Sequence, residues 1–354
     1  MRLISVFSVV GNVLGAVWPY LVAIFAFLFM IFIHEFGHFI AAKLMGVRVN
    51  EFAIGFGPTL LKRKGKETLY AVRAIPFGGF CAMEGEDETS EDGKAFCNKK
   101  PWRRLIIIIA GAFMNLVLGL ILVTCSTAHD KVIGTARVHS FITENAMSSQ
   151  SGLQAGDEII RINGRRIYSN IDLNYGLTNV KGDTLDMQVK RGGQTVDLDV
   201  KFDTETVNDI NYVKLDFYLT AEKKTFKGVI ENSFKTTLSY GRVVWFSLVD
   251  LITGKYGISA MSGPVGVTAA IGTVAKSGFW DLLPMISLIT VNLGVFNLLP
   301  IPALDGGRAF FLLIEMIIRR PIPKKFEGAV HAAGMILLLG LIAVITVKDI
   351  IGFF

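Results

Sequence analysis

The sequence has little charge and few cysteines, and both shortages argue against common classes of protein. Only 19% of the 354 residues are charged, whereas soluble proteins carry about a quarter. The three cysteines are an odd number at irregular spacing, which predicts free thiols rather than a disulfide framework. The net charge of +6 comes without a basic patch interleaved with aromatics, so we expect no nucleic-acid partner. Basic cytoplasmic loops of a membrane protein explain this charge.

Apolar residues take the place of the missing charge. They make up 51% of the chain, and the mean hydropathy is +0.49. Four stretches are long enough to span about 30 Å of hydrocarbon; they cover residues 17–41, 105–127, 282–304 and 330–347. The first has no small-residue cleavage site and runs into His34, so it predicts a retained helix rather than a signal peptide.

The basic residues predict how the chain crosses the membrane. They are concentrated in 43–104 and 319–325, which we therefore expect in the cytoplasm, with both termini and residues 128–281 outside. The segment 229–252 is amphipathic, and its two interpretations are a helix on the outer surface or a fifth crossing. A fifth crossing would move 319–325 outside, which favours the surface helix.

Two parts of the chain outside the spans have strand patterns. Residues 69–83 predict two strands around a turn at Pro76 and the following glycines. Residues 151–164 resemble the central signature of PDZ domains, and alternating runs on both sides of Gly192 and Gly193 predict a hairpin. The peptide-carboxylate loop of PDZ domains is hard to find near 133–134, which leaves peptide binding open.

An H-E-x-x-H motif lies in the first apolar stretch. Its histidines, His34 and His38, are four residues apart, so on a helix both imidazoles lie on one face and can bind one metal ion. Neutral imidazole suits Zn²⁺, and Glu35 is placed to accept a proton from water. The alternative is a pair of polar residues packed without metal, but ionisable residues in an apolar helix are costly and usually functional.

A catalytic zinc ion needs a third protein ligand and one open position. The candidates are His129, His139, His331 and carboxylates at membrane depth. Asp305 follows two prolines at the inner end of the third stretch, at the depth expected of the histidine pair, whereas His129 and His139 would lie outside. His331 comes near the same surface, but a capping or interface role is favoured for it.

Together, residues 34–38 and 297–307 resemble the site-2 protease family of intramembrane metalloproteases, in particular its RseP-like bacterial group. Further matches are 54–58, 75–79, Gly111 with Asn115, and 262–264. Some relatives have two PDZ domains, whereas this chain has room for one.

The resemblance implies one Zn²⁺ ion with His34, His38 and Asp305 as ligands and Glu35 as base. It also implies that Asn297 contacts the substrate backbone, although Asn297 could instead cap the proline-broken helix. Gly111 and Asn115 suit close helix packing and an interhelical hydrogen bond.

The implied function is intramembrane zinc endopeptidase activity on transmembrane segments of single-pass proteins in a bacterial inner membrane. Anti-sigma factors and remnant signal peptides are the implied substrates, and membrane lipid surrounds the protein. An exposed strand with Tyr70, Ala71, Val72 and Arg73 could hold the substrate extended, although the hairpin could instead be structural and make no substrate contact. A non-catalytic adaptor and a zinc enzyme for lipid-like molecules are the alternatives. The intact Glu35 and ligand set argue against the first, and the peptide-handling elements argue against the second.

The predicted fold is therefore a polytopic α-helical membrane protein with about four transmembrane helices, a cytoplasmic β-hairpin and one inserted extracytoplasmic PDZ-like α+β domain. Its predicted parts are the first helix (1–45), a cytoplasmic loop with a membrane-associated hairpin (46–104), the second helix (105–128), the PDZ-like domain (129–206), an amphipathic segment (207–281), the third helix (282–318), a basic loop (319–329) and the fourth helix (330–354).

Overall fold

A computed structural model describes residues 2–178, 180, 182–207, 210–255, 257 and 261–352. In chain order it has α1 (Arg2–Leu44), β1 (Val49–Lys64), β2 (Leu69–Met83), α2 (Pro101–His129), β3 (Val132–Phe141), α3 (Met147–Gln150), β4 (Glu158–Ile162), β5 (Arg165–Arg166) and α4 (Asn170–Gly176). It continues with β6 (Thr184–Arg191), β7 (Gln194–Lys201), β8 (Thr204–Val207), β9 (Ile210–Val213), β10 (Phe217–Lys223), α5 (Phe226–Ile252), α6 (Pro264–Ala275), α7 (Phe279–Leu298), α8 (Asp305–Ile318) and α9 (Lys324–Gly352). The chain divides into unit 1 (Met1–Gly119 and Ser262–Phe354) and unit 2 (Leu120–Met261).

Four helices within the described part of the chain are long and apolar enough to cross a membrane. They are Val17–Leu44 of α1, Pro101–His129, Phe279–Leu298 and Lys324–Gly352. Each includes most of one predicted stretch, so the expectation of four apolar helices is confirmed. Close helix packing comes from glycines: a Cβ built on Gly294 of α7 would lie 3.0 Å from the Ala112 carbonyl oxygen of α2.

The predicted third helix, 282–318, is in fact two helices. α7 ends at Leu298, and α8 begins at Asp305. Pro300 and Pro302, which lie between α7 and α8, lack backbone N–H groups and interrupt the helix there. Asp305 therefore begins a new helix instead of ending the apolar run. Gly307, two residues later, packs so tightly that a Cβ there would lie 2.5 Å from the Ile301 carbonyl oxygen.

The hairpin predicted within 69–83 is wrong in its pairing. β2 runs through Pro76 as one bent strand, and its antiparallel partner is β1. β1 reverses at Gly55 and Gly57, whose φ values are +83° and +82°, and thereby pairs with both halves of β2. Phe52, for example, lies opposite both Tyr70 and Cys81. The four paired stretches lie in the order 59–64, 69–73, 51–54 and 79–83.

Unit 2 contains a sheet in the order β10-β3-β4-β6-β7, with β5 paired to β4. The predicted hairpin at Gly192 and Gly193 is confirmed: β6 and β7 pair up to Arg191 and Gln194, and the φ values of the two glycines are +56° and +92°. The predicted domain 129–206 is too short, because β10 pairs with β3. Ile133 and Gly134 lie inside this pairing, so the carboxylate loop sought there is not an open loop.

The predicted amphipathic segment contains the helix α5, whose first turn is capped by Thr225. One face of α5 is held against the rest of unit 2 by two carboxylates, one of them on α5 itself. Asp172 accepts hydrogen bonds from Ser239 (2.6 Å) and Arg242 (2.9 Å), and Asp250 accepts them from Arg165 (2.8 Å) and Tyr175 (2.7 Å).

The remainder of the segment 207–281 belongs to unit 1 from residue 262 onward and contains α6, which the sequence did not predict. Pro264 lies in its first turn, and Asp349 of α9 accepts hydrogen bonds from the backbone N–H groups of Gly263 and Gly266. Ala260 belongs to the segment 128–281 that we expected on the outer side of the membrane, but it is not among the described residues.

Candidate metal centre

Three side chains from two helices meet in unit 1. His34 and His38 lie one turn apart on α1, and Asp305 is the first residue of α8. Asp305 Oδ2 lies 3.1 Å from His34 Nε2 and 3.2 Å from His38 Nε2, and the two nitrogens are 3.2 Å apart. The sequence predicted this trio, and the structure brings its three members together.

These distances suit a tetrahedral metal ion. Zinc with nitrogen ligands at about 2.0–2.1 Å holds neighbouring ligand atoms about 3.3 Å apart. The three atoms are each about that distance from the other two, so they lie close enough to form a metal site. Both histidines are buried and Asp305 is half-buried.

The surrounding hydrogen bonds direct the lone pairs of both imidazoles toward the common point. His38 Nδ1 lies 2.9 Å from the Ile107 carbonyl oxygen, which can accept only if Nδ1 carries the proton. His34 Nδ1 lies 3.3 Å from the Asn115 amide, whose Oδ1 is buried and has no partner in the described part of the chain. Exchanging the amide nitrogen and oxygen lets His34 Nδ1 donate to Asn115 Oδ1. Each Nε2 is then an acceptor.

With these protonation states, three buried electron-pair donors face one another without a proton between them. Asp305 Oδ2 indeed has no hydrogen-bond donor among the described residues. Buried acceptors in such contact are unfavourable unless a cation lies between them. Two imidazoles and one carboxylate form a ligand set typical of catalytic zinc, with a fourth position left for water or substrate.

Two glycines allow α1 and α2 to approach closely at this site. A Cβ on Gly111 of α2 would collide with the His38 imidazole. A Cβ on Gly37 would lie 2.8 Å from Met114 Cγ and would collide with the Ala110 carbonyl oxygen. The sequence indicated helix packing for Gly111 and Asn115, and the structure adds that both contact the metal-site histidines.

A cavity of about 630 Å³ opens beside the trio. Glu35 lines it, together with the edge of β2 at 80–83 and the acidic segment that follows. β2 comes close to Glu35, since a Cβ on Gly79 would lie 3.2 Å from Glu35 Cγ. The cavity thus lies between the Glu35 side chain and a strand edge.

Arg308 ties the acidic segment to the helix that begins with Asp305. Its guanidinium pairs with Glu86 and, at 3.0 Å, with Asp87. Burial raises the pKa of Glu86, although the positive charge of Arg308 opposes this shift. Sequence reasoning missed this contact; the one available signal was an arginine one helical turn after Asp305.

The other predicted site residues lie elsewhere. Asn297 is half-buried in the last turn of α7, separated from Asp305 by the turn 299–304. His331 contacts that turn and is not a member of the trio.

Tyr70, Ala71 and Val72 each lie opposite two β1 residues, and Arg73 donates hydrogen bonds to Glu51 and to the Gly57 carbonyl oxygen. These four residues therefore do not form the exposed strand that was expected, because β1 covers both sides.

Comparison with known proteins identifies close relatives over nearly the whole chain. The sequence profile of peptidase family M50 matches residues 22–341. A protein of Clostridium perfringens, named as a candidate zinc metalloprotease, is 39% identical over 331 residues, which cover 93% of this chain and 97% of that protein. The zinc metalloprotease RasP of Geobacillus kaustophilus is 29% identical, over 92% of this chain and 96% of its own. The regulator of sigma-W protease RasP of Bacillus subtilis is 29% identical, over 91% and 95%.

Proposed function

Since the chain belongs to peptidase family M50, the site-2 protease family of zinc metalloproteases, we propose that it cleaves transmembrane segments of single-pass membrane proteins. The observation that carries this proposal is the metal trio, whose two histidines lie on the apolar helix α1, beside a cavity that contains Glu35. A relative named as regulator of sigma-W protease supports regulatory substrates such as anti-sigma factors. Remnant signal peptides are a second candidate class.

The proposed ligands of zinc are His34, His38 and Asp305. Zinc bound by these residues would act as a Lewis acid that lowers the pKa of a water molecule and polarises a peptide carbonyl. Glu35 takes the proton of the attacking water and transfers it to the leaving nitrogen of the peptide. Ile107 and Asn115 keep the two imidazoles oriented while this occurs.

A transmembrane substrate must unwind before its backbone can enter this cavity, because a helix uses its carbonyls in its own hydrogen bonds. We assign the strand that holds it to 80–83, instead of the predicted Tyr70, Ala71, Val72 and Arg73. The stretch 79–83 pairs with β1, and its residues 80–83 also line the cavity. Strand addition there would hold the substrate extended next to Glu35. Asn297 remains a proposed contact for the substrate backbone.

The proposed location is a bacterial inner membrane, with 46–104 and 319–329 inside and both termini outside. α5 then lies on the outer surface, with its exposed apolar ridge against lipid. The ridge has regular spacing and comprises Phe226, Ile230, Phe234, Leu238, Trp245 and Ile252. The hydrogen bonds of Asp172 and Asp250 occupy the opposite face, so lipid cannot surround this helix as it would a spanning one. The PDZ-like domain in unit 2 would exclude bulky external domains or bind a new C-terminus.

We predict that Glu35→Gln abolishes cleavage of a purified single-pass substrate but leaves zinc bound. The loss should be at least about 10²-fold, the usual contribution of a general base. Elemental analysis and a cleavage assay on the full-length protein measure both quantities. Asp305→Ala is the control, because it should lose zinc as well as activity.

Substantial cleavage by pure Glu35→Gln protein would contradict its role as base. A wild-type protein that binds the substrate without cutting it would instead indicate an adaptor. An enzyme for lipid-like molecules would neither bind nor cut it.

We predict that Cys81→Pro or Ala82→Pro blocks substrate cleavage. The prediction applies to whichever of the two variants stays folded and loaded with zinc. Along a strand, alternate residues direct their N–H groups to opposite sides, so one of the two positions should lose a donor toward the cavity. Leu60→Pro, in the other edge stretch of the same sheet, is the matched control and should cleave normally. Normal cleavage by both folded variants would exclude strand addition at this edge.

We predict that a cysteine replacing Ser277 reacts with a membrane-impermeant maleimide in intact cells, whereas one replacing Lys325 reacts only after lysis. Both residues are exposed, and the native free cysteines Cys81, Cys97 and Cys125 would first be changed to serine. The reverse pattern of labelling would overturn the proposed orientation.

A further inference from the structure

Ala303, two residues before Asp305, has a backbone conformation that alanine rarely adopts. Its φ is +78°, in the left-handed region that most side chains avoid. Among the described residues, the other non-glycine residues with positive φ are Asn163, a residue type that tolerates this region, and Arg319, which ends α8. Ala303 ends no helix, so another contact must stabilise it.

The side chain of His331, on α9, contacts Ala303 directly. The Ala303 N–H donates a hydrogen bond to His331 Nδ1 at 2.9 Å. The turn has few backbone donors of its own, because Pro300 and Pro302 lack N–H groups. Gly334, one helical turn further along α9, packs so closely that a Cβ there would lie 2.5 Å from Pro302 Cβ. α9 therefore contacts two consecutive residues of the turn, Pro302 and Ala303.

This turn leads directly into the first turn of α8. Leu304 is the N-cap of α8, and its carbonyl oxygen accepts a hydrogen bond from the Gly307 N–H at 3.1 Å. The His331 ring also packs on that turn, since a Cβ on Gly307 would lie 3.2 Å from His331 Cε1. A change in the Ala303 backbone would thus move the start of α8 and the Asp305 carboxylate with it.

We infer that His331 is a positioning residue for the metal centre: it holds Ala303 in the left-handed conformation and so fixes the Asp305 carboxylate opposite His34 and His38. The inference rests on the proposed ligand role of Asp305. His331 Nδ1 accepts the Ala303 N–H, so this atom is not free to bind the metal itself. The competing role is simple packing, since the imidazole also lies 5.7 Å from the Phe311 ring.

The test compares side chains that keep or lose the acceptor at position 331. His331→Leu keeps much of the bulk but cannot accept a hydrogen bond. The full-length protein with this change should release zinc to a chelator on the order of tenfold faster or more, as for other residues that orient ligands. Its Co²⁺-substituted form should show an altered visible spectrum. His331→Asn, whose side-chain oxygen can accept the Ala303 N–H, should restore slow release.

Asp349→Ala is the matched control for a general loss of stability. Asp349 also lies on α9 and accepts hydrogen bonds from two backbone N–H groups, at 2.8 and 2.9 Å, at a turn without a metal ligand. This variant should unfold at a lower temperature but release zinc at the wild-type rate.

Ala303→Gly tests the route through the backbone, because glycine adopts a positive φ without strain. Added to His331→Leu, it should slow zinc release again. Three results would overturn the inference: wild-type release and spectrum in His331→Leu, equal acceleration in Asp349→Ala, or no recovery in the double variant. If Asp305→Ala held zinc as tightly as the wild type, the ligand proposal would fail and the inference with it. If Asp305→Ala lost zinc while His331→Leu behaved as the wild type, the inference alone would fail.

Discussion

Three buried acceptor atoms, His34 Nε2, His38 Nε2 and Asp305 Oδ2, meet at mutual distances of 3.1–3.2 Å, and much of unit 1 serves to bring them there. Such a cluster repels itself unless a cation neutralises it. The protein meets the steric part of the problem with glycines, which remove side chains where α1 and α2 cross and where α8 begins. It meets the electronic part by giving each histidine a partner for its second nitrogen.

A second constraint, access to both water and an apolar substrate, accounts for the strand and the acidic segment around the site. A zinc centre that opened freely to lipid would have no water, and one that opened freely to water could not hold an apolar substrate. β2 presents its edge beside Glu35, and Arg308 links Glu86 and Asp87 to the helix of Asp305. The cavity is therefore polar at the wall formed by the acidic segment, while α1 and α2, which also line it, are apolar. In the proposed mechanism, a peptide entering this cavity exchanges its own hydrogen bonds for those of a strand edge.

The sequence was sufficient for features that depend on short spacings. Residues four apart share a helix face, so His34 and His38 were predictable as a pair, and the positive-φ glycines of the β6–β7 hairpin were predictable from a Gly-Gly turn. Asp305 was predictable by depth, since the proposed third stretch ended where the first carried its histidines. The four apolar helices were predictable from length and hydropathy alone.

Features that depend on distant pairings were not predictable. Nothing local in 69–83 indicates that β1 would reverse at Gly55 and Gly57 and pair with both halves of β2, which enclosed Tyr70 and left 80–83 at the edge. The prolines at 300 and 302 signalled a break, but not that Asp305 would start a new helix. The contact of His331 with Ala303 joins residues 28 positions apart, and no spacing rule connects them.

The central claim is that Asp305 completes the zinc site with the two histidines, and X-ray absorption at the zinc edge tests it directly. Purified full-length protein should show only nitrogen and oxygen neighbours at about 2.0–2.2 Å. In Asp305→Cys, a sulfur neighbour should appear at about 2.3 Å, whereas His331→Cys should add none. A sulfur neighbour in His331→Cys, or an unchanged nitrogen and oxygen shell in zinc-loaded Asp305→Cys, would contradict the account.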